Sequence, residues 1–223
     1  MSDQTQMTAA QSAATKAAVM NQVPGADIAG QSPLHHADFA TLAEQGQKIG
    51  GIHLCEHKLL GHLTLRCNPN NPEQLAAVER VLGVALPLTP LTSVVKGEYS
   101  IRWMSPDEWL ILVPGLATFD IESAFRDEMP GHYSLVNSSG GSTVLEISGD
   151  DVLSLLQKSV PVDLHITAFP VGKVVSTLFA KTTVTLRRLD EKRFELVIRR
   201  SFSDYVWLWI QDASLEYGLV IEV

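Results

Sequence analysis

Cysteine is scarce in this chain: Cys55 and Cys67 are the only two among 223 residues, and they form no Cys-x-x-Cys pair. A disulfide framework and a cysteine-rich structural zinc site are therefore not encoded, and a reducing cytoplasm is the expected compartment. Positive charge is short as well, with 17 Lys and Arg against 25 Asp and Glu for a net charge of -8. Nucleic acid needs a concentrated basic track, so it is excluded as a partner. No apolar run is long enough to span a bilayer, and the N-terminal residues lack the apolar region of a signal peptide, so neither a membrane nor export is expected. The glycine-rich stretch 138–142 lacks the Lys-Ser/Thr ending of a phosphate loop and does not follow the dinucleotide fingerprint, which leaves it as a turn. No Ser-His-acid or Cys-His phrase with a supporting elbow occurs, and Asp163 near His165 reads as a strand end.

What is present is an ordinary globular composition, 45% hydrophobic and 19% charged, in a length that suits one large or two small domains. The clearest organisation lies between residues 142 and 209. Thr143 to Ile147 alternates as a half-buried strand. Ser148 and Asp151 have capping-box spacing, and Val152, Leu155 and Leu156 form the apolar stripe of a helix that Pro161 ends. Residues 174–180, 183–189 and 193–199 read as three strands. In the last, Phe194, Leu196 and Ile198 alternate with Arg193, Glu195 and Arg199, as in a sheet with one wet face. Ser201 and Asp204 repeat the cap, and Phe202, Tyr205, Val206 and Trp209 follow at helical spacing as a core face, with Trp207 off the stripe as an exposed interface anchor.

Upstream, residues 52–57 and 59–66 are β-like, and Asn71, Pro72 and Gln74 give a strong helix start before Leu75, Val78, Leu82 and the stop at Gly83. Tyr99, Ile101 and Trp103 alternate as a strand, Ser105-Pro106-Asp107-Glu108 makes a type I turn, and 109–113 returns as an apolar strand. A short helix around Ile121 and Phe125 and a strand at 133–137 complete this part. Both parts run strand, helix, strands, helix, so the expected fold is α+β with two similar halves. Each is an antiparallel sheet with helices on one face, a split βαβ unit. The expected divisions are a mobile polar tail over 1–31, including an Ala-rich stretch at 7–20, a first half over 32–138 and a second over 139–223, packed as one unit.

Two constellations carry candidate chemistry. His53, Cys55 and His57 share one strand face, with His62 and Cys67 nearby; this could hold a soft metal, but strand spacing alone does not set tetrahedral convergence, and a polar, partner-facing strand is the preferred reading. Arg187, Arg188, Lys192, Arg193, Arg199 and Arg200 could bind an anion such as a polyglutamylated folate. Asp190, Glu191 and Glu195 interrupt them, which favours a solvated or subunit-facing sheet. No catalytic, cofactor-binding or metal residue is assigned.

Residues 143–172 (TVLEISGDDVLSLLQKSVPVDLHITAFPVG), 193–210 (RFELVIRRSFSDYVWLWI) and 104–114 (MSPDEWLILVP) resemble the gamma subunit family of heterotetrameric sarcosine oxidase. The resemblance spans roughly residues 59–213. It departs at Ser142, where the family has arginine, and at Lys158-Ser159-Val160, where Lys-Gly-Cys is usual. It implies a non-catalytic chain with a fold like the folate-binding aminomethyltransferase domain, assembled with alpha, beta and delta subunits. That complex converts sarcosine to glycine and either passes the one-carbon unit to tetrahydrofolate or releases formaldehyde with hydrogen peroxide. The resemblance places FAD, FMN, NAD and zinc on the other subunits. A free-standing folate-binding transferase on the same fold is the competing reading.

Overall fold

The computed structural model describes residues 29–223; the expected tail lies outside them up to residue 28, as does the whole of 7–20. A short helix, α1 (Phe39–Gln45), leads into strand β1 (Ile52–His57). The chain then runs β2 (Leu60–Arg66), α2 (Pro72–Leu82), β3 (Ser93–Lys96), β4 (Tyr99–Ser105), β5 (Glu108–Pro114), α3 (Thr118–Glu128) and β6 (Ser134–Asn137). The same order recurs in β7 (Ser142–Ser148), α4 (Val152–Ser159), β8 (Val174–Phe179), β9 (Thr182–Asp190), β10 (Arg193–Arg199), α5 (Ser203–Ala213) and β11 (Leu219–Glu222).

The two series build two sheets of matching order, β3-β4-β5-β2-β6 and β8-β9-β10-β7-β1-β11, which differ by the insertion of β1 beside β7. All pairings are antiparallel except β1 with β11. The fold is therefore α+β with two antiparallel sheets in similar halves, as the sequence suggests. Residues 52–57 precede the first series but serve the second sheet: Ile52 and Leu54 lie in its core together with Leu34 and Phe39. Glu56 fastens this N-terminal segment, accepting hydrogen bonds from Ser32 Oγ and Thr143 Oγ1, both at 2.8 Å.

The helix start at Asn71 forms as the spacing implies. Its side-chain oxygen accepts the amides of Glu73 at 3.0 Å and Gln74 at 3.3 Å, and Pro72 occupies the first helical position, where no amide is needed. Gly83 closes the helix at φ 69°, a left-handed conformation that glycine adopts without a Cβ clash. The two expected capping boxes do not form. Strand β7 continues through Ser148, and the Asp151 amide is taken by Gly51 O at 3.0 Å from the inserted β1 segment, so α4 starts at Val152 without a side-chain cap. A 3₁₀ turn over Arg200–Phe202 precedes α5, and Ser203 Oγ donates to Arg200 O at 2.8 Å.

That 3₁₀ turn also changes the phase of α5. Its buried positions are Ser203, Val206, Trp207 and Ile210, whereas Phe202 is exposed and Trp209 only half-buried. Trp207, expected outside, is 7% exposed and tilts against Phe39 with ring centroids 5.0 Å apart. The i, i+3, i+4 pattern of aromatics therefore misplaced the core face, because Phe202 belongs to the turn and not to the helix.

Both sheets bury their helix-facing side, with Ile111, Val113 and Trp109 in one core and Leu145, Ile147, Phe194 and Leu196 in the other. Their opposite faces meet each other. Leu112 of β5 packs with Val144 of β7 and Val197 of β10, and Leu60 and Leu110 flank them. The face expected to be wet is thus partly a seam between sheets.

Candidate functional site

Charged side chains concentrate in this seam. Arg102, on β4, is fully buried, and its Nη2 donates to Glu195 Oε2 on β10 at 2.8 Å. Arg187 on β9 donates Nη1 to the same oxygen at 3.0 Å and to Ser100 Oγ at 2.9 Å. One carboxylate therefore holds two guanidinium groups, one from each sheet. Burial lowers the Arg102 pKa to about 10, which still leaves it charged at neutral pH. Beside this group, Glu146 of β7 meets His57 Nε2 at 2.9 Å and Arg193 Nη1 at 3.5 Å. Glu146 and Glu195 are cross-strand partners, so like charges sit opposite each other and the surrounding cations offset their repulsion.

His62 lies on the same face of its sheet and is 2% exposed. Its Nδ1 is 3.1 Å from Leu60 O, an acceptor, which assigns the proton to Nδ1 and leaves Nε2 a buried lone pair without a protein partner. Burial, with a smaller push from Arg102, lowers its pKa to about 4. A histidine depressed this way is neutral in the folded protein and takes its proton on unfolding, so stability is full above about pH 6.5 and is lost as pH falls toward 4. The loss from this group is expected to reach roughly 3 kcal/mol. His57 acts in the opposite direction: its hydrogen bond to Glu146 raises its pKa, so its contribution is complete in acid and fades as pH rises through the raised value. Urea unfolding of wild type and His62→Gln at about pH 7 and about pH 4.5 separates them, because the variant should lose less stability in acid. An equal acid loss in both proteins would contradict this assignment.

The His53, Cys55 and His57 face does not converge. His53 Nδ1 turns to Glu222 Oε1 at 2.7 Å, His57 turns to Glu146, and Cys55 lies between them with its thiol pKa raised by burial. Cys67 belongs to the core of the other sheet, beside a cleft of about 610 Å³ bordered by Arg66, Asp107 and His132. Burial pushes its pKa up to about 11, which keeps the thiol protonated and a poor nucleophile. Among the described residues no group of three His, Cys, Asp or Glu side chains is arranged to hold a metal ion.

The six basic residues of β9, β10 and the following turn also disperse. Arg187 enters the seam, whereas Arg188 points the other way, donating to Leu164 O at 3.0 Å, Phe169 O at 2.9 Å, Asp190 O at 3.0 Å and Glu191 O at 2.6 Å. Lys192 pairs with Asp150 at 2.7 Å, Arg193 with Glu146 and Asp190, and Arg200 Nη1 with Gly140 O at 3.3 Å. Arg187 and Arg188 are buried, unlike the residues of a solvated sheet, whereas Lys192, Arg193, Arg199 and Arg200 are exposed as that reading has them, and the six form no common anion cradle. Asp163 and His165 form a turn in place of a strand end, with the His165 amide donating to Asp163 Oδ1 at 2.8 Å. The arrangement fastens loops and sheets together; it does not aim two reactive groups at one point.

The model of the sarcosine oxidase, gamma subunit family matches residues 66–216. The chain belongs to that family. It is 32% identical to the sarcosine oxidase subunit gamma of Corynebacterium sp. (strain P-1) over 193 residues, covering 84% of this chain and 91% of the relative. The Arthrobacter sp. subunit gamma is 31% identical over the same share. Among solved structures, a chain of the heterotetrameric sarcosine oxidase from Corynebacterium sp. U-96, in complex with pyrrole 2-carboxylate, superposes with a TM-score of 0.72 at 26% identity. The match covers 84% of this chain and 95% of that one. The aminomethyltransferase T of the glycine cleavage system from Bartonella henselae shares the fold, with a TM-score of 0.56 at 10% identity over 78% of this chain and 47% of that one. This member of the gamma family therefore keeps the expected aminomethyltransferase-like architecture, with its seam charges paired within the chain. Among the described residues no helix is long and apolar enough to cross a membrane.

Proposed function

We propose that this chain is the non-catalytic gamma subunit of a heterotetrameric sarcosine oxidase, assembled in the cytoplasm with alpha, beta and delta subunits. The complex demethylates sarcosine oxidatively to glycine, and the one-carbon unit goes to tetrahydrofolate or leaves as formaldehyde with hydrogen peroxide. FAD, FMN, NAD and zinc belong to the other subunits. The observation that carries this reading is the match of 84% of this chain to 95% of a chain of the solved heterotetramer. The use of buried charge supports it: Glu195, Arg102, Arg187 and Arg188 each bind groups of this same chain, and a cofactor site needs polar groups aimed at the cofactor.

The isolated chain is expected to be colourless, inactive toward sarcosine and without stoichiometric affinity for tetrahydrofolate. Gel filtration with absorbance at the flavin band and an equilibrium titration with tetrahydrofolate check this. A retained flavin band overturns the cofactor assignment, and tight one-to-one folate binding favours a free-standing transferase instead.

A further inference from the structure

Strand β8 is the outermost strand of its sheet and pairs on one side with β9. Two contacts fix which backbone groups face outward: the Val174 amide donates to Leu91 O at 2.9 Å, and the Ala180 amide donates to Ser159 O at 2.6 Å. Strand groups alternate with a period of two, so the even-numbered residues of β8 turn their amides and carbonyls away from β9. Ser176 and Leu178 lie between those two anchors. Among the described residues no backbone hydrogen bond ties either of them on this outer side. An edge of this kind, without proline, bulge or charge on its two central residues, is a template for another strand.

A cleft borders each end of this window. One lies against Leu91, Val171 and Lys173; the other, of about 450 Å³, lies against Pro161, Leu178, Lys181 and Trp209. Leu178 is 46% exposed and Val171 55%. Neither cleft has an acidic lining residue, although the chain carries 25 acidic residues against 17 basic ones. Lys158 is held by Glu216, whereas Lys181 stands at the rim beside Leu178.

We infer that the outer edge of β8 receives a short extended segment of a partner subunit, added as one more strand across Ser176 and Leu178. Apolar side chains of that segment enter the two clefts, and an acidic residue faces Lys181. The backbone supplies the affinity of such an addition and the clefts supply its selectivity. Opposite charge at the Lys181 rim sets its direction. The inference rests on the reading of this chain as a subunit of a heteromeric complex, and it names the surface that the assembly covers.

The test is amide hydrogen exchange on the chain alone and in the complex purified from cells expressing all four chains. The Ser176 and Leu178 amides should exchange at least about 100-fold more slowly in the complex, while those of Thr177 and Phe179, bonded to β9, are slow in both. Ser176→Pro removes an outward amide that β9 does not use. It should reduce recovery of this chain with its partners by about tenfold while leaving the melting temperature of the isolated chain within a few degrees. Equal exchange of Ser176 and Leu178 in the chain and in an intact complex overturns the inference and leaves subunit membership standing. Failure of the wild-type chain to join any complex overturns both. Protection already present in the isolated chain and rising with its concentration assigns the edge to a second copy, and likewise overturns the inference.

Discussion

Trp207→Ala is expected to destabilise the chain by roughly 3–5 kcal/mol, the range for emptying a large aromatic from a packed core. Trp207 is 7% exposed and closes the contact between α5 and the N-terminal segment through Phe39, whose ring centroid is 5.0 Å away. The substitution therefore removes the ring itself and the surface on which Phe39 and Leu34 settle against the second core. Trp209→Ala should cost clearly less, about 1–2 kcal/mol, since that ring is half-exposed and loses mainly one hydrogen bond, Nε1 to Ser159 Oγ at 3.0 Å. Urea midpoints at unchanged m-value measure both. A larger loss at Trp209 than at Trp207 would restore the phase expected from the aromatic spacing and contradict the observed one.

Glu195→Gln is the second large effect, expected at roughly 3–5 kcal/mol, because it leaves Arg102 and Arg187 buried together without their carboxylate. The cost comes from the stranded cations more than from the lost attraction, and that has a direct consequence. Removing Arg102 as well, in Glu195→Gln with Arg102→Met, should recover a substantial part of the loss, since one of the two like charges is gone. A double variant that is less stable than the sum of its two single variants would mean that the seam charges are not coupled in this way. Thermal and urea unfolding at neutral pH read both cases.

These two residues also mark where sequence reading succeeds and where it stops. The strand at 193–199 was legible because Phe194, Leu196 and Ile198 alternate, and all three are buried. Arg193, Glu195 and Arg199 point its other face to solvent by sequence, yet Glu195 is largely enclosed. Alternation reports which side chains share a face; it does not report what lies on that face. A signal did exist in β5, where Trp109 to Val113 is apolar at every position, the mark of a strand buried on both sides. Both faces of β5 must then be covered, and one cover is the second sheet. The helix start at Asn71 was legible because its signal is local, whereas Ser148 and Ser201 failed as caps for a tertiary reason. The segment inserted before β1 presents Gly51 O to the Asp151 amide, and a 3₁₀ turn takes the residues that would have begun α5.

The basic cluster behaved the same way. Adjacent in sequence, Arg187 and Arg188 project to opposite faces of β9, one into the seam and one onto the carbonyls of residues 164, 169, 190 and 191. Charge density along a strand thus overstates charge density in space, by sending every second residue to the other side of the sheet. The family match over residues 66–216 covers β3 to β10 and the seam residues Arg102, Leu112, Val144, Arg187, Glu195 and Val197, whereas β1, β11 and all of β2 but Arg66 lie outside it.

In the proposed function this chain acts by completing an assembly and not by touching substrate. Purifying the sarcosine oxidase complex from cells expressing all four chains and from cells lacking only this one, and comparing turnover of sarcosine and thermal midpoint at equal flavin content, tests that role. A subunit that stabilises the assembled state by mass action should leave, when omitted, a complex that dissociates or melts lower and loses activity with its integrity. Unchanged turnover and an unchanged thermal midpoint without this chain would contradict that role.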